Sequence, residues 1–166
     1  MCGITGIVNL DQPDPIREET LRDMLGMLRH RGPDEFGIYR SEWAGLGSAR
    51  LSIIDLSGGQ QPISNEDGSL WIVYNGEVFN YIELRPKLEA LGHQFSTHTD
   101  TEIILHLYEE YGPDCLSMLN GQFALAIWDE RERSLFLARD RMGIRPLYYT
   151  VNNGRFIFGS EIKSIL

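Results

Sequence analysis

The chain has 166 residues, 42% hydrophobic and 23% charged, which is the composition of one globular domain and excludes a disordered chain. Its formal charge of -9 would repel nucleic acid and anionic membrane surfaces, so neither is expected as a partner. The sequence contains no signal-peptide pattern and no apolar stretch long enough to span a bilayer, so a cytoplasmic location is expected.

The first half of the chain predicts one helix among short strands. The first eight residues form an apolar run typical of a strand. Asp14 and Pro15 have the residue types that begin a helix, and Gly32-Pro33 would end it. The apolar face of this helix would consist of Leu21, Met24, Leu25 and Leu28. The strands predicted next are Phe36–Arg40, Trp43–Ala49, Leu51–Ile54 and, after a polar loop at Ser57–Gly68, Leu70–Tyr74.

The second half predicts two helices and then a series of hairpins. Asn80 with Glu83 resembles a capping box, although Pro86 should restrict the early part of that helix. Thr99 or Asp100 would cap the second helix. Strands are predicted at Phe123–Asp129, Ser134–Arg139, Pro146–Val151 and Arg155–Gly159, with a turn at Asn152-Asn153-Gly154. Because strands cluster in groups between helices, the expected fold class is α+β with antiparallel sheet.

Cys2 is the first candidate for chemistry. If Met1 is removed, this residue carries both a thiol and a free α-amine. A thiol and an α-amine lose their protons at similar pH, so the amine can act as the base that activates the nucleophile. The alternative for Cys2, considered by itself, is a small hydrophobic residue in a buried first strand.

Three further stretches carry polar groups that are candidates for function. Asn75-Gly76 offers a side-chain amide and an accessible backbone N–H, which together can form an oxyanion hole; the alternative is a type I′ hairpin turn. Arg50 is either a solvated residue at a sheet edge or a fork for a carboxylate. Asp100, considered by itself, has the residue type of a helix cap.

The remaining metal-binding residue types form no recognisable motif. His30, His93, His98 and His106 are scattered along the chain, and neither cysteine lies near a second ligand at metal-site spacing. The sequence therefore predicts no metal site.

Together these stretches resemble the glutaminase domain of class II amidotransferases, specifically that of glutamine-hydrolysing asparagine synthetase, in the N-terminal nucleophile hydrolase superfamily. The resemblance runs in order along essentially the whole chain, and the joint order and spacing of its segments are very specific. The matching segments are Cys2-Gly3-Ile4, Arg29–Asp34, Arg50–Asp55, Tyr74–Glu77, Asp100–Glu102, Ala138–Tyr148 and Ser160–Lys163.

The resemblance implies the catalytic roles. Cys2 would be the nucleophile, with its own α-amine as the base once Met1 has been removed. Asn75 and Gly76 would form the oxyanion hole. Arg31 would help to organise the N-terminal end of the chain.

The resemblance also implies how L-glutamine would be held. Arg50 would pair with its α-carboxylate, and Glu77 and Asp100 would hold its α-ammonium. Ser48 departs from the histidine expected just before the arginine strand, but no assigned role depends on it. The backbone of four residues would line the same pocket: Leu51, Ser52, Ile53 and Ile54.

The fold implied is a four-layer α-β-β-α sandwich of two antiparallel sheets. Residues 1–166 would form the glutaminase domain alone, without the C-terminal synthetase domain. No cofactor is expected for this domain, because ATP and magnesium would serve only the synthetase domain. The expected partner is a synthetase domain or subunit, docked near Arg139–Pro146. An apolar patch near Ile162, Ile165 and Leu166 would favour self-association as a homodimer.

Two alternatives remain open from the sequence. One is the corresponding domain of glucosamine-phosphate synthase or of the phosphoribosyl-pyrophosphate amidotransferase, against which Arg50–Asp55 and Arg139–Tyr148 favour asparagine synthetase. The other is a non-catalytic, partner-binding module of the same fold. Such a module would be expected to lose its nucleophile or its pocket charges, and this chain retains both.

Overall fold

This computed structural model describes residues 1–51 and 58–166. The described residues form nine strands and three α-helices, joined by turns and loops. Two 3₁₀ segments, Gly112–Met118 and Ile162–Ser164, are also present there. In chain order the strands and helices are β1 (Gly3–Asn9), α1 (Glu18–Gly26), β2 (Glu35–Arg40), β3 (Ala44–Arg50), β4 (Ile63–Ser64), β5 (Leu70–Val78), α2 (Tyr81–Leu91), α3 (Asp100–Tyr111), β6 (Gly121–Asp129), β7 (Ser134–Arg139), β8 (Tyr148–Asn152) and β9 (Arg155–Gly159). None of these helices is long and apolar enough to cross a membrane.

The strands form two sheets in which every pair is antiparallel. The first sheet has the order β2-β3-β1-β9-β8, and the second has the order β4-β5-β6-β7. The amino-terminal strand β1 is therefore the central strand of the first sheet. Its position places Cys2, the residue before it, between neighbouring strands instead of at a free edge.

The two sheets pack face to face and helices cover both outer faces. Residues from both sheets share one apolar cluster, which includes Ile4, Leu46 and Phe158 from the first sheet and Val73 and Trp128 from the second. Helix α1 covers the other face of the first sheet, while α2 and α3 cover the second. The predicted four-layer α-β-β-α sandwich is confirmed.

Helix α1 begins later than the sequence predicts. Asp14 and Pro15 were expected to begin it, but the first helical residue is Glu18 and the N-cap is Arg17. The backbone N–H of Asp14 donates to Glu42 O at 3.0 Å, and its carbonyl accepts from Asn9 Nδ2 at 2.7 Å. These bonds hold the segment against the sheet, so the helix starts only after it.

Strand β5 is longer than predicted, and this difference removes one interpretation. Asn75 and Gly76 lie inside the strand, where they pair with Ala124 and Phe123 of β6. The alternative interpretation of Asn75-Gly76 as a hairpin turn is therefore wrong. Leu51 lies just beyond the end of β3, and the rest of the predicted strand Leu51–Ile54 falls outside the described residues.

The capping box predicted at the start of α2 is also absent. Asn80 is the N-cap residue, but its side chain makes no capping hydrogen bond. Its amide instead donates to Met118 O at 2.9 Å and its Oδ1 accepts from Asn120 N at 2.9 Å. The side chain therefore ties α2 to the segment that leads into β6.

Candidate active site

One pocket forms where the inner faces of the two sheets meet the start of α3. Every described residue with a predicted catalytic or substrate-binding role lines it, whereas Ser52, Ile53 and Ile54 lie outside the described residues. The lining consists of Met1, Cys2, Arg50, Leu51, Gly59, Gln61, Tyr74, Asn75, Gly76, Glu77, Thr99, Asp100, Thr101 and Arg145.

Cys2 is half-buried and is held mainly through backbone groups. Leu51 N lies 3.4 Å from its Sγ, and the thiol lies 3.7 Å from Leu51 O. A backbone N–H that points at the sulfur suits a thiolate, because a negative sulfur accepts hydrogen bonds better than a neutral one. This contact also places Leu51 at the pocket wall.

Arg31 holds the backbone carbonyl group of Cys2 in place. Its Nε donates to Cys2 O at 3.0 Å, and its Nη1 lies 3.0 Å from Glu161 Oε1. His30 contacts the same carboxylate oxygen at 2.8 Å. Burial opposes the charge on Glu161, but its hydrogen bonds with Arg31, His30 and Lys163 lower its pKa to about 2. A charged Glu161 therefore holds Arg31 in place near neutral pH.

Asn75 carries a buried hydrogen-bond donor without a partner. Its side chain is 1% exposed, and its Nδ2 has no hydrogen-bond partner among the described residues. A buried unsatisfied donor is costly, about 1–3 kcal/mol, and a catalytic role is one explanation for such a group in a native structure. The amide is thus available to a group that enters the pocket.

Gly76 lies beside Asn75 on β5 at a position that only glycine fits. A Cβ atom built there would lie 2.3 Å from Gln122 O and 2.7 Å from Phe123 Cα, both on the paired strand β6. The absence of a side chain lets the two strands stay paired and leaves the Gly76 backbone at the pocket wall.

Asp100 is the first residue of α3, and its carboxylate ties this helix to β5. Its Oδ2 accepts from Val78 N and from the Tyr74 hydroxyl, both at 2.9 Å. Burial raises the pKa of Asp100, against the effect of these hydrogen bonds, and the nearby charge of Glu77 adds to the rise. Two carboxylates thus face the pocket, and a cation bound between them would stabilise both.

Arg50 is 4% exposed at the end of β3. Its Nη1 lies 2.7 Å from Glu35 Oε2, which orients the guanidinium. A Cβ atom at Gly59 would lie 2.5 Å from Arg50 Nη2 and 2.5 Å from Thr99 Cγ2, so a larger residue there would displace the guanidinium or Thr99. A buried, oriented guanidinium is the arrangement that binds a carboxylate through two hydrogen bonds.

Seven lining residues were not predicted as site residues: Met1, Gly59, Gln61, Tyr74, Thr99, Thr101 and Arg145. Gln61 Oε1 accepts from Tyr74 N at 2.7 Å, and its Nε2 lies 3.4 Å from Thr101 Oγ1, so this side chain joins β5 to α3. Nothing in the local sequence marks Gln61 for that role. Arg145 belongs to a matching segment, but only the fold brings it to the pocket, where it contacts Met1.

Ser48, which stands in place of an expected histidine, lies outside the pocket. It pairs with Ile4 across β1 and β3 and is 1% exposed. Its Oγ has no hydrogen-bond partner among the described residues. The departure therefore affects the packing between the sheets and none of the groups that line the pocket.

Solved structures share this arrangement of sheets and helices. The glutamine phosphoribosylpyrophosphate amidotransferase from Bacillus subtilis, solved with ADP and GMP, superposes with a TM-score of 0.78 at 24% identity, over 99% of this chain and 43% of that one. A second structure, described as the allosteric regulatory enzyme of purine biosynthesis, gives a TM-score of 0.77 at 25% identity, over 99% of this chain and 43% of that one. The expected N-terminal nucleophile hydrolase fold is confirmed.

Curated proteins with similar sequences include glutamine-hydrolyzing asparagine synthetases. Glutamine-hydrolyzing asparagine synthetase 1 of Bacillus subtilis is 47% identical over 100% of this chain and 27% of that protein. The probable enzyme of the same name from Dictyostelium discoideum is 44% identical over 99% of this chain and 30% of that protein. The chain therefore spans about a quarter to a third of the length of these relatives.

The whole chain matches the model of one protein family. All of residues 1–166 match the family described as glutamine amidotransferase domain. This match, with the relatives above, confirms the resemblance that the motifs indicated. The chain belongs to the glutamine amidotransferase domain family.

Proposed function

We propose that this domain releases ammonia from the side-chain amide of L-glutamine through a γ-glutamyl thioester on Cys2. The observation that carries the proposal is the pocket that joins Cys2 to the buried amide of Asn75, whose Nδ2 has no hydrogen-bond partner among the described residues. A nucleophile and a hydrogen-bond donor that line one pocket suit a reaction in which negative charge develops on a carbonyl oxygen. The family to which the chain belongs supports the same reaction.

The first half of the proposed reaction forms the thioester. After removal of Met1, the α-amine of Cys2 takes the thiol proton, and the sulfur attacks the side-chain carbonyl carbon of glutamine. A C–S bond forms while the carbonyl electrons move to the oxygen, which Asn75 Nδ2 and the Gly76 N–H would stabilise. The C–N bond then breaks, and the α-ammonium of Cys2 returns its proton to the departing ammonia.

The second half regenerates the thiol. Water adds to the thioester carbonyl with the α-amine of Cys2 as base, and the same two donors stabilise the new oxyanion. The C–S bond breaks and the sulfur recovers its proton, which leaves glutamate and the free thiol. If Met1 is retained, its bond to Cys2 makes the required amine a non-basic peptide nitrogen, so removal of Met1 is part of the proposal.

Charge complementarity supports glutamine as the substrate. Arg50 would pair with the α-carboxylate, and Asp100 and Glu77 would hold the α-ammonium. Burial and the charge of Glu77 raise the pKa of Asp100, which means that they destabilise its charged form. A bound ammonium group would offset this destabilisation. The side-chain amide would then extend toward Cys2.

The proposed setting follows the names of the relatives. We propose that the ammonia serves asparagine synthesis in a synthetase domain or subunit, which would use ATP and magnesium, whereas glutamine hydrolysis needs only groups of this domain. Tyr148 and Ile162, both exposed in one shallow groove, are candidates for that contact or for a homodimer. The thiol chemistry requires a reducing compartment, and we propose the cytoplasm.

Arg50→Lys should raise KM for glutamine more than it lowers kcat. Lysine keeps the charge but loses the planar fork that binds a carboxylate through two parallel hydrogen bonds. The interaction is made in both the ground state and the transition state, so its loss weakens binding more than turnover. Steady-state kinetics of glutamate release measure both constants; a larger fall in kcat than rise in KM would remove Arg50 from the carboxylate role.

A thiol-directed glutamine analogue tests the proposed site directly. The analogue should add once to the chain, at Cys2, as shown by intact mass and peptide mapping, and glutamine should slow the labelling. Aspartate at the same concentration is the control and should not protect. Labelling that glutamine does not slow, or labelling at Cys115, would contradict the proposal.

A further inference from the structure

Four potential metal ligands lie together far from Cys2 in the sequence and outside the pocket described above. They are Glu66, His93, His106 and Glu109, hereafter the His-Glu cluster, and one nitrogen or oxygen from each lies within 4.8 Å of all the others. The sequence predicts no metal site because its histidines are scattered. The fold brings two of them together, with ring centroids 4.6 Å apart.

Three separate segments contribute to the His-Glu cluster. Glu66 belongs to the turn between β4 and β5, and His93 follows α2, whose end is turned by Gly92 at a φ of 108°. His106 and Glu109 lie three residues apart on α3, a spacing that places both on one face of a helix. A ligand held by all four would therefore join the two connections to the helix.

The interatomic distances fit a single ion with four ligands. His93 Nδ1 lies 3.6 Å from Glu109 Oε2 and 3.8 Å from Glu66 Oε1. His106 Nδ1 lies 3.8 Å from Glu66 Oε2 and 2.8 Å from Glu109 Oε2. Ligand bonds of about 2.0–2.2 Å place tetrahedral ligand atoms roughly 3.3–3.6 Å apart. The observed separations bracket that range, so small side-chain rotations suffice.

The surroundings of His93 match those of a metal-bound imidazole, and the ring of His106 has the same orientation. Both rings turn Nδ1 toward the cluster and Nε2 toward another carboxylate. His93 Nε2 lies 3.0 Å from Glu110 Oε1, and His106 Nε2 lies 3.7 Å from Glu102 Oε1. A metal-binding histidine almost always directs its other ring nitrogen to a carboxylate, a carbonyl or water. His93 has such a partner in Glu110, whereas His106 Nε2 faces Glu102 without a hydrogen bond to any described residue.

The carboxylates of the cluster are also oriented. Asn65 Nδ2 donates to Glu109 Oε1 at 2.8 Å, which leaves Oε2 facing the histidines. Gln94 N donates to Glu66 Oε1 at 2.9 Å. These neutral donors fix the two side chains without neutralising them, so the negative charge remains available to a cation.

We propose that the His-Glu cluster binds one divalent transition-metal ion, with zinc as the best match. Two imidazoles and two carboxylates suit zinc, cobalt and nickel better than calcium or magnesium, which prefer oxygen ligands alone. Two carboxylate ligands balance the charge of a divalent ion. The ion would brace the β4–β5 turn and the α2–α3 connection against α3, as a structural site.

The test measures metal binding in a chain that lacks the other obvious ligand. Cys2 is replaced by alanine, so that its thiol cannot hold the ion, and the purified chain is treated with chelator and dialysed. Zn²⁺ is then titrated by calorimetry, and Co²⁺ by its visible d–d absorption. In this background His93→Ala and Glu66→Gln each remove one ligand, and His98→Ala is the matched control, an exposed histidine of the same connection outside the cluster.

One equivalent of Zn²⁺ should bind the Cys2→Ala chain and raise its Tm, and Co²⁺ should give the intense absorption of a four-coordinate site. Loss of even an outer-shell partner costs about 10–100-fold in metal affinity, so each ligand variant should weaken binding at least that much. His98→Ala should leave it unchanged. Binding weaker than millimolar, or binding that survives both His93→Ala and Glu66→Gln, would overturn the proposal and leave the cluster as imidazoles balanced by carboxylates alone.

Discussion

Cys2→Ser is expected to lose nearly all glutaminase activity while the domain stays folded. A hydroxyl is a far weaker nucleophile than a thiol when its only base is an α-amine, because very little of it ionises near neutral pH. Cys2 precedes β1 and contributes no strand pairing of its own. Glutamate release, with circular dichroism to verify the fold, measures the effect; a variant that keeps a tenth or more of the rate would contradict the role of the thiol.

Cys115→Ala is the matched control for that experiment. Cys115 is fully buried in the layer of α2 and α3, on the outer face of the second sheet. Burial raises the pKa of its thiol to about 11, so it remains a neutral, apolar side chain. This variant should keep both kcat and KM, although its stability should fall because a buried atom is lost.

Asn75→Ala should lower kcat by roughly 10²–10³ and change KM little, because loss of one oxyanion donor has effects of that size. The Tm should change little, because Asn75 Nδ2 has no hydrogen bond with the described residues that the variant could break. Asn75→Asp should be similarly slow, because it keeps the shape but replaces the donor with a charged acceptor. Kinetics and thermal unfolding of both variants test these expectations.

Ser48→Ala separates the loss of a catalytic donor from the loss of any buried polar atom. Ser48 Oγ is also buried and without a partner among the described residues, but it does not line the pocket. Its replacement should leave kcat unchanged and should not reduce the Tm. If Ser48→Ala slowed the reaction as much as Asn75→Ala, the pocket amide would have no special role.

Local pattern in the sequence was sufficient for most of the fold. The helix predicted to begin at Thr99 or Asp100 is α3, whose N-cap residue is Thr99. The turn predicted at Asn152-Asn153-Gly154 has positive φ angles of 51° at Asn153 and 71° at Gly154, which these residue types favour. Elements with a strong hydrophobic period or a specific turn chemistry were correctly located. The pairing of the sheets, by contrast, was implied only by the family resemblance, because alternation along a strand does not identify its partner.

The errors have a common physical origin in long-range contacts. Asp14 has the residue type of a helix cap, yet its bonds to Glu42 and Asn9 hold it on the sheet. Asn75-Gly76 has the residue types of a hairpin, yet pairing with β6 makes it part of a strand. In each case a partner distant in sequence outweighs the local preference, and nothing within a short window reports that partner.

The same contrast between local and long-range information applies to the residues of the candidate site. Cys2 and Asn75 were identified because their chemistry is visible in single residues and in matching segments. Gln61 was missed, since its contacts with Tyr74 and Thr101 depend on a loop folding back over β5. The His-Glu cluster was missed for the same reason, because its ligands come from three segments that only the fold brings together.

Glutamate formation by the purified domain, with the amino terminus defined by intact mass, tests the central claim most directly. The domain that has lost Met1 should convert glutamine to equal amounts of glutamate and ammonia without ATP or aspartate. The same domain with Met1 retained should be inactive, because its Cys2 nitrogen is then a peptide nitrogen that cannot act as a base. No hydrolysis above background by the processed domain, or equal rates with and without Met1, would contradict the account.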